Sequence, residues 1–250
     1  MSPWQAALVF VAGVAAGTIN TVVGSGTLIT FPALLSVGLS PISANVSNTL
    51  GLVPGAVAGA WGYRRELQGQ RARVLRLGAA SALGGLTGAV LLLTLPAKAF
   101  KTIVPVLIVL GLVLVVFGPR LTALLAKTAH RPREAVGPAL WFLVLLTGVY
   151  GGYFGAAQGV LLMGLFGVFL VESLQRQNAL KNVLAGLVNA VAAVIFIFTG
   201  HLNWSAAALI AGGSLIGGLL GARVGRRLPA PVLRVVIVAV GIAAIVKLLA

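Results

Sequence analysis

The sequence predicts an all-α, polytopic helical membrane protein built from two inverted repeats of five helical elements each, with broken or short helices at glycine-rich bends. Three observations predict it. Of 250 residues, 59% are hydrophobic and only 8% charged, whereas soluble domains carry about 25% charged residues, and the apolar runs reach membrane-crossing length. The second half repeats the glycine, asparagine and proline pattern of the first. The basic residues gather on one side of a membrane only if the two halves are inverted.

Composition also excludes. With no cysteine there is neither a disulfide nor a thiolate metal site. The formal charge of +15 has the size seen in nucleic-acid binders, but the lysines and arginines sit between apolar runs, where they orient the chain in a lipid bilayer. No nucleic acid is therefore expected as a partner. The opening Met1-Ser-Pro-Trp-Gln lacks a basic stretch, which argues against a cleaved signal peptide.

The first element is a helix over 4–22. The stretch from Ala16 to Pro32 is apolar enough for a membrane yet carries glycines and hydroxyls where a helix should be continuous, so it reads as two helices meeting in a bend. Gly24, Ser25 and Gly26 can take strained or left-handed backbone. Thr27 then starts a short helix over 27–37, whose first N–H groups have no intrahelical acceptor and attract anions. Its rise, roughly 16 Å, falls short of a ~30 Å hydrocarbon core. The first two elements could thus cross twice or form a re-entrant hairpin. Ser40 and Pro41 pair a cap with a first-turn proline and open a helix that runs to 63. Arg64, Arg65, Arg71, Arg73 and Arg76 make a basic loop, and helices over 74–95 and 99–117 follow, parted by Pro96. The segment 118–137, with Arg120, Lys127, Arg131, Arg133 and Glu134, reads as a polar linker between a first repeat, 1–117, and a second, 138–250.

The duplication is legible residue by residue. Gly148 and Gly155 repeat the seven-residue spacing of Gly17 and Gly24, and Asn182 with Leu184 repeats Asn48 with Leu50. Gly84, Gly85, Leu86 and Gly88 match Gly217, Gly218, Leu219 and Gly221, Pro96 matches Pro229, and Lys101 matches Arg234, all at an offset of 133. If the bent pair in each half keeps odd parity, one side receives Arg64 to Arg76, Arg120 to Arg133, Arg176, Lys181 and Arg223 to Arg234. That is fifteen of the 18 Lys and Arg, against Lys98, Lys101 and Lys247 on the other side. A single broken span in each half would spread them ten against eight. The positive-inside rule selects the inverted repeat, with both termini outside and the linker cytoplasmic.

Inverted repeats interrupted at corresponding positions are the sequence signature of a secondary transporter whose site lies where the repeats meet. The only acids, Glu66, Glu134 and Glu172, fall at loops or helix ends, so no carboxylate is placed to hold a cation at depth, and no metal or cofactor is expected. The polar inventory of the spans is Asn20, Thr21, Ser25, Thr27, Asn45, Asn48 and Thr49 in the first half, and Gln158, Asn178, Lys181, Asn182 and Asn189 in the second. Asn178, Asn182, Ala185 and Asn189 share one helical face. Amide donors, helix N-termini and an ammonium suit an oxyanion. Competing structural roles stand beside these. Lys181 could snorkel to the interface, offset by Glu172. The asparagines could be interhelical glue worth about 0.6–2 kcal/mol each. Tyr150 and Tyr153 read as packing aromatics, and Gly51, Gly55, Gly59, Gly84, Gly88, Gly217 and Gly221 as the small residues of close helix contacts. His201 has no partner for a metal. Val23 and Thr27 flank Gly24-Ser25-Gly26 where a hydrolase elbow needs glycines, so no enzyme is expected.

The run Ala16-Gly17, Asn20, Gly24-Ser25-Gly26, Thr30-Phe31-Pro32, Leu34-Leu35, Gly38-Leu39-Ser40-Pro41, Ala44, Ser47-Asn48 and Tyr63-Arg64-Arg65 resembles the first repeat of the sulfite exporter TauE/SafE family, and the second half resembles its second repeat. The resemblance implies a bacterial or archaeal inner-membrane transporter of small sulfur-containing anions: sulfite, sulfoacetate, thiosulfate or related organosulfonates. It carries the glycine-rich bends onto Gly24, Ser25, Gly26, Gly155 and Gln158, and the helix after Pro32 onto Asn45 and Asn48. The chain departs from the family pattern with Ala156-Ala157-Gln158-Gly159 in place of a glycine run and Met163-Gly164 in place of a proline. The expected partners are a small anion and the lipid bilayer, with a homo-oligomer left open. The alternative functions are a passive anion channel and a non-transporting structural subunit.

Overall fold

A computed structural model describes residues 1–128, 136–199, 201–224 and 238–239. Among them are nine helices: α1 Pro3–Val22, α2 Thr27–Ser36, α3 Pro41–Gly62, α4 Arg71–Thr94, α5 Ala97–Thr128, α6 Pro138–Tyr153, α7 Gln158–Phe169, α8 Leu174–Ile197 and α9 Trp204–Val224. Side-chain caps fix several starts. The hydroxyls of Ser2, Ser40 and Ser173 accept the amides of Gln5, Ser43 and Arg176 ahead of α1, α3 and α8, and Pro3, Pro41 and Pro138 occupy first turns. Left-handed backbone fixes two ends. Gly24 has φ +89° just after α1, and Gly155 and Ala157 have φ +75° and +61° between α6 and α7.

Among the described residues, five helical segments are long and apolar enough to cross a membrane: Pro3–Val22, Arg71–Thr94, Lys98–Gly118, Leu174–Ile197 and Trp204–Arg223. Trp4, Val57, Trp61, Phe142, Phe198 and Trp204 are exposed on the outer faces, as lipid-facing side chains are. The chain is a multi-pass helical membrane protein.

Two elements differ from the sequence expectation. Helix α5 runs on to Thr128 instead of stopping at 117, because residues 121–126 return to a Leu- and Ala-rich run that propagates a helix once begun. Helix α4 starts at Arg71 instead of 74, so Arg71, Arg73 and Arg76 form its first turns. Arg131, Arg133 and Glu134 of the linker, Arg226, Arg227 and Pro229 ahead of the tenth expected element, and Arg234 and Lys247 within it lie outside the described residues.

The halves interlock. Helix α1 packs along α9 and α6 along α4, while α3 and α8 cross each other and pack on α9 and α4 respectively. These contacts are close because glycine makes them so. A Cβ on Gly217 would meet the backbone of Val14 and Thr18, and one on Gly84 that of Leu145 and Gly148, equivalent contacts in the two halves. Gly88 and Gly221 do the same one turn later, and Gly51, Gly55 and Gly59 press against Ile210, Ser214 and Thr21. All seven have the packing role expected of them. The contacts also climb in step. Gly13 then Gly17 meet Ile210 then Ser214, so α1 and α9 run the same way; Gly84 then Gly88 meet Leu145 then Val149, so α4 and α6 do too.

Candidate functional site

The two bends touch. The Gly159 amide, in the first turn of α7, donates to the Gly24 carbonyl at 3.0 Å. Each glycine leaves no room for a Cβ against the other's backbone. Side chains from the preceding helices brace each bend: the Asn20 Oδ1 accepts the Gly26 amide at 2.7 Å, and the Tyr150 hydroxyl donates to the Ala156 carbonyl. Asn48 ties α3 to α2, its Oδ1 accepting from the Thr30 hydroxyl and its Nδ2 donating to the Thr27 Oγ1 at 3.3 Å.

Asparagines then cross between the halves. Asn45 Nδ2 on α3 donates at 2.9 Å to the Tyr153 carbonyl, the last residue of α6. Asn178 and Asn182 on α8 donate at 3.0 and 3.3 Å to the Thr21 carbonyl, one residue from the end of α1. Each half caps the broken helix of the other, satisfying carbonyls that a helix end leaves open. Lys181 joins on one side only. Its Nζ donates to the Asn20 and Thr21 carbonyls at 2.8 and 3.1 Å, at the negative end of α1.

Lys181 is 0% exposed, so it does not snorkel. Glu172 does not offset it either. That carboxylate binds Arg73 at 2.7 Å and Arg176 at 2.5 Å, while Gln70 reaches the Arg176 carbonyl and Arg176 the Gln68 carbonyl. The arrangement ties the α3–α4 connection to the start of α8. Burial pushes the Glu172 carboxyl up, but hydrogen bonds and charge from Arg73 and Arg176 outweigh it and hold the group below the usual carboxylate range.

A narrow, partly open cavity lies against this junction. Of the residues expected in a site, Asn20, Gly24, Thr27, Gly155, Gln158 and Asn182 line it. Ser25, Gly26, Asn45, Asn48, Asn178 and Lys181 stand behind that lining as buried support. Thr21, Ala56, Gly159, Ala185 and Asn189 complete the wall. The Asn178–Asn189 stripe foreshadows Ala185 and Asn189, and the bend itself foreshadows Thr21 and Gly159; nothing in the local sequence marks Ala56.

The donors differ from the expected ones. The Gly26 and Gly159 amides at the two helix starts are already hydrogen-bonded, to Asn20 and Gly24, so they are not open to an anion. Thr21 donates its hydroxyl to the Gly17 carbonyl at 2.9 Å and is left an acceptor. The Gln158 Nε2 is different: it is buried and has no partner. The cavity is therefore lined by amide and hydroxyl residues, one of which, Gln158, holds a buried unsatisfied donor, with the Lys181 ammonium one layer behind.

Similarity to known proteins follows the whole chain. The family model described as "Sulfite exporter TauE/SafE" matches residues 9–248. The chain is 28% identical over 233 residues to "Probable membrane transporter protein YfcA" of Escherichia coli (strain K12), covering 91% of this chain and 82% of that one. It is 29% identical over 244 residues to "Probable membrane transporter protein ORF9" of Sinorhizobium sp, covering 98% and 92%. It is 26% identical over 220 residues to "Probable membrane transporter protein" of Haemophilus influenzae, covering 87% and 84%.

Proposed function

We propose that this chain, which belongs to the sulfite exporter TauE/SafE family, is a secondary transporter moving a small sulfur oxyanion or organosulfonate across the bacterial or archaeal inner membrane by alternating access. The observation that carries the reading is the cavity at the contact of the two bends, walled by neutral polar residues, Gln158 with its buried unsatisfied Nε2 among them, and backed by the Lys181 ammonium. An oxyanion offers several acceptor oxygens to such donors and a charge to such a cation. In this reading Gln158, Asn20, Asn182 and Thr27 contact the anion. Gly24, Ser25, Gly26 and Gly155 shape the bends, Asn45, Asn48 and Asn178 hold them, and Lys181 supplies the field.

The inverted arrangement of the repeats belongs to the same proposal. It is supported by register: α3 meets α9 through Gly51 with Ile210 and Gly55 with Ser214, so α1 and α3 both run with α9, while α6 runs with α4. If α3 and α4 cross a bilayer in succession they do so in opposite senses, and this supports an α6 that runs opposite to α1. Termini outside and a cytoplasmic linker follow from the basic side of the charge count.

Counterflow in proteoliposomes tests the function. Vesicles preloaded with unlabelled thiosulfate or sulfite should accumulate the labelled anion transiently and saturably. Single-channel conductance without counterflow would instead mark a passive anion channel, and neither signal a structural subunit.

A further inference from the structure

Lys181 poses a charge problem that the described residues do not solve. Helices α1, α3, α6 and α7 contain no Asp, Glu, Lys, Arg or His; their titratable side chains are Tyr150 and Tyr153 on α6. Helix α4, also packed on α8, brings Arg71, Arg73 and Arg76 in its first turns, and α8 itself adds Arg176. The one acid nearby in sequence, Glu172, is taken by Arg73 and Arg176. Around Lys181 itself are the Asn20 and Thr21 carbonyls and the backbone of Gly159. A buried ammonium without a counter-charge is costly, and removing the charge is one way a protein relieves that cost.

The hydrogen bonding accommodates both states. A neutral amine has two N–H donors, and two carbonyls receive them. The ammonium has a third N–H, for which the described residues supply no acceptor. Asn20, Thr21 and Gly159, the residues that surround Lys181, also line the cavity, so an anion there would lie one layer from the charge.

We propose that Lys181 carries the coupling proton: the ammonium keeps its third proton while an anion fills the cavity and returns it to water when the anion leaves, so that anion and proton cross the membrane together. This rests on the anion reading of the cavity. The step is a proton transfer only, from water to the Lys181 Nζ on binding and back on release.

Calorimetry on the purified full chain in detergent tests it. Thiosulfate and methanesulfonate are the probes, because neither takes up a proton of its own near neutral pH. Titrations in buffers of different ionisation enthalpy, from mildly acidic to mildly alkaline pH, report the protons exchanged per anion. The expected result is uptake that rises with pH toward one proton per anion. In Lys181→Arg, whose guanidinium cannot release a proton, uptake should vanish, and in Lys181→Met affinity should fall by about tenfold or more. Wild-type binding without proton uptake at any pH overturns this inference and leaves the anion site standing, whether or not the variants fold. Uptake that persists in Lys181→Arg also overturns it by assigning the proton elsewhere. No binding of either anion removes the site and the coupling together.

Discussion

The Gly159 amide donates to the Gly24 carbonyl at 3.0 Å, so the two bends are joined main chain to main chain with no side chain between them. The contact requires glycine at both positions for different reasons. Gly24 is left-handed, with φ +89°, and also lies on Gly159; Gly159 is helical and only lacks space. Gly24→Ala and Gly159→Ala should both lower the melting temperature of the purified protein, by the equivalent of about 2–4 kcal/mol, with Gly24 the more sensitive because strain adds to collision. Gly137→Ala is the control. Gly137 has φ −80° and open space around it, and its change should stay within about 0.5 kcal/mol.

The crossed asparagine caps are equivalent in design and unequal in redundancy. Thr21 has three side-chain donors, from Asn178, Lys181 and Asn182, whereas Tyr153 receives its cross-half bond from Asn45 alone among the hydrogen bonds described. Asn45→Ala should therefore destabilise by about 1–2 kcal/mol and Asn178→Ala by clearly less. Thermal unfolding of both variants checks the order; equal losses would contradict the shared load on Thr21.

Much of this was legible from spacing and local chemistry. Ser40 with Pro41 marked a helix start, the paired glycines marked two bends, and Gly84 with Gly88 marked a close contact, because each signal acts within one or two turns. The misses are of another kind. The fate of the Gly26 and Gly159 amides depends on Asn20 and on the opposite bend, and the partners of Lys181 lie about 160 residues away in the chain. Pattern alone cannot tell an ammonium near the start of a helix that snorkels from one that turns inward to cap another helix. Likewise, the charges beyond residue 117 resemble a linker, while the leucines and alanines among them extend α5.

The Glu172 carboxyl, held low by Arg73 and Arg176, sets a pH dependence of definite sign. A depressed carboxyl contributes stability that is complete above its unfolded value and is lost as pH falls through its folded value. The wild type should thus lose its advantage over Glu172→Gln on acidification below about pH 4. Near neutral pH the variant should melt lower, by the equivalent of about 1 kcal/mol. Melting curves of the two proteins across that range check it. Because two arginines keep the group ionised, Glu172→Gln should leave the number of protons moved per anion unchanged, which flux measurements under an imposed pH gradient would read.

Substitution of Gln158 tests whether its amide serves the fold or a ligand. Its side chain is buried against Gly151, and its Nε2 has no partner although it belongs to a residue lining the cavity. An unsatisfied buried donor costs about 1–3 kcal/mol, so Gln158→Leu, close in volume and apolar, should leave stability unchanged or slightly raised. The same substitution removes the donor that an oxyanion would use and should weaken thiosulfate binding by about tenfold or more. Ser81→Ala provides the contrast. Ser81 Oγ on α4 is also buried and unpartnered but does not line the cavity, so its loss should leave affinity alone. Thermal shifts measured with and without thiosulfate separate the two effects, since a ligand raises the melting temperature only in proportion to its occupancy. If Gln158→Leu keeps the full ligand-dependent shift, Gln158 does not contact the anion, and the donors must be sought at Asn20, Asn182 and Asn189.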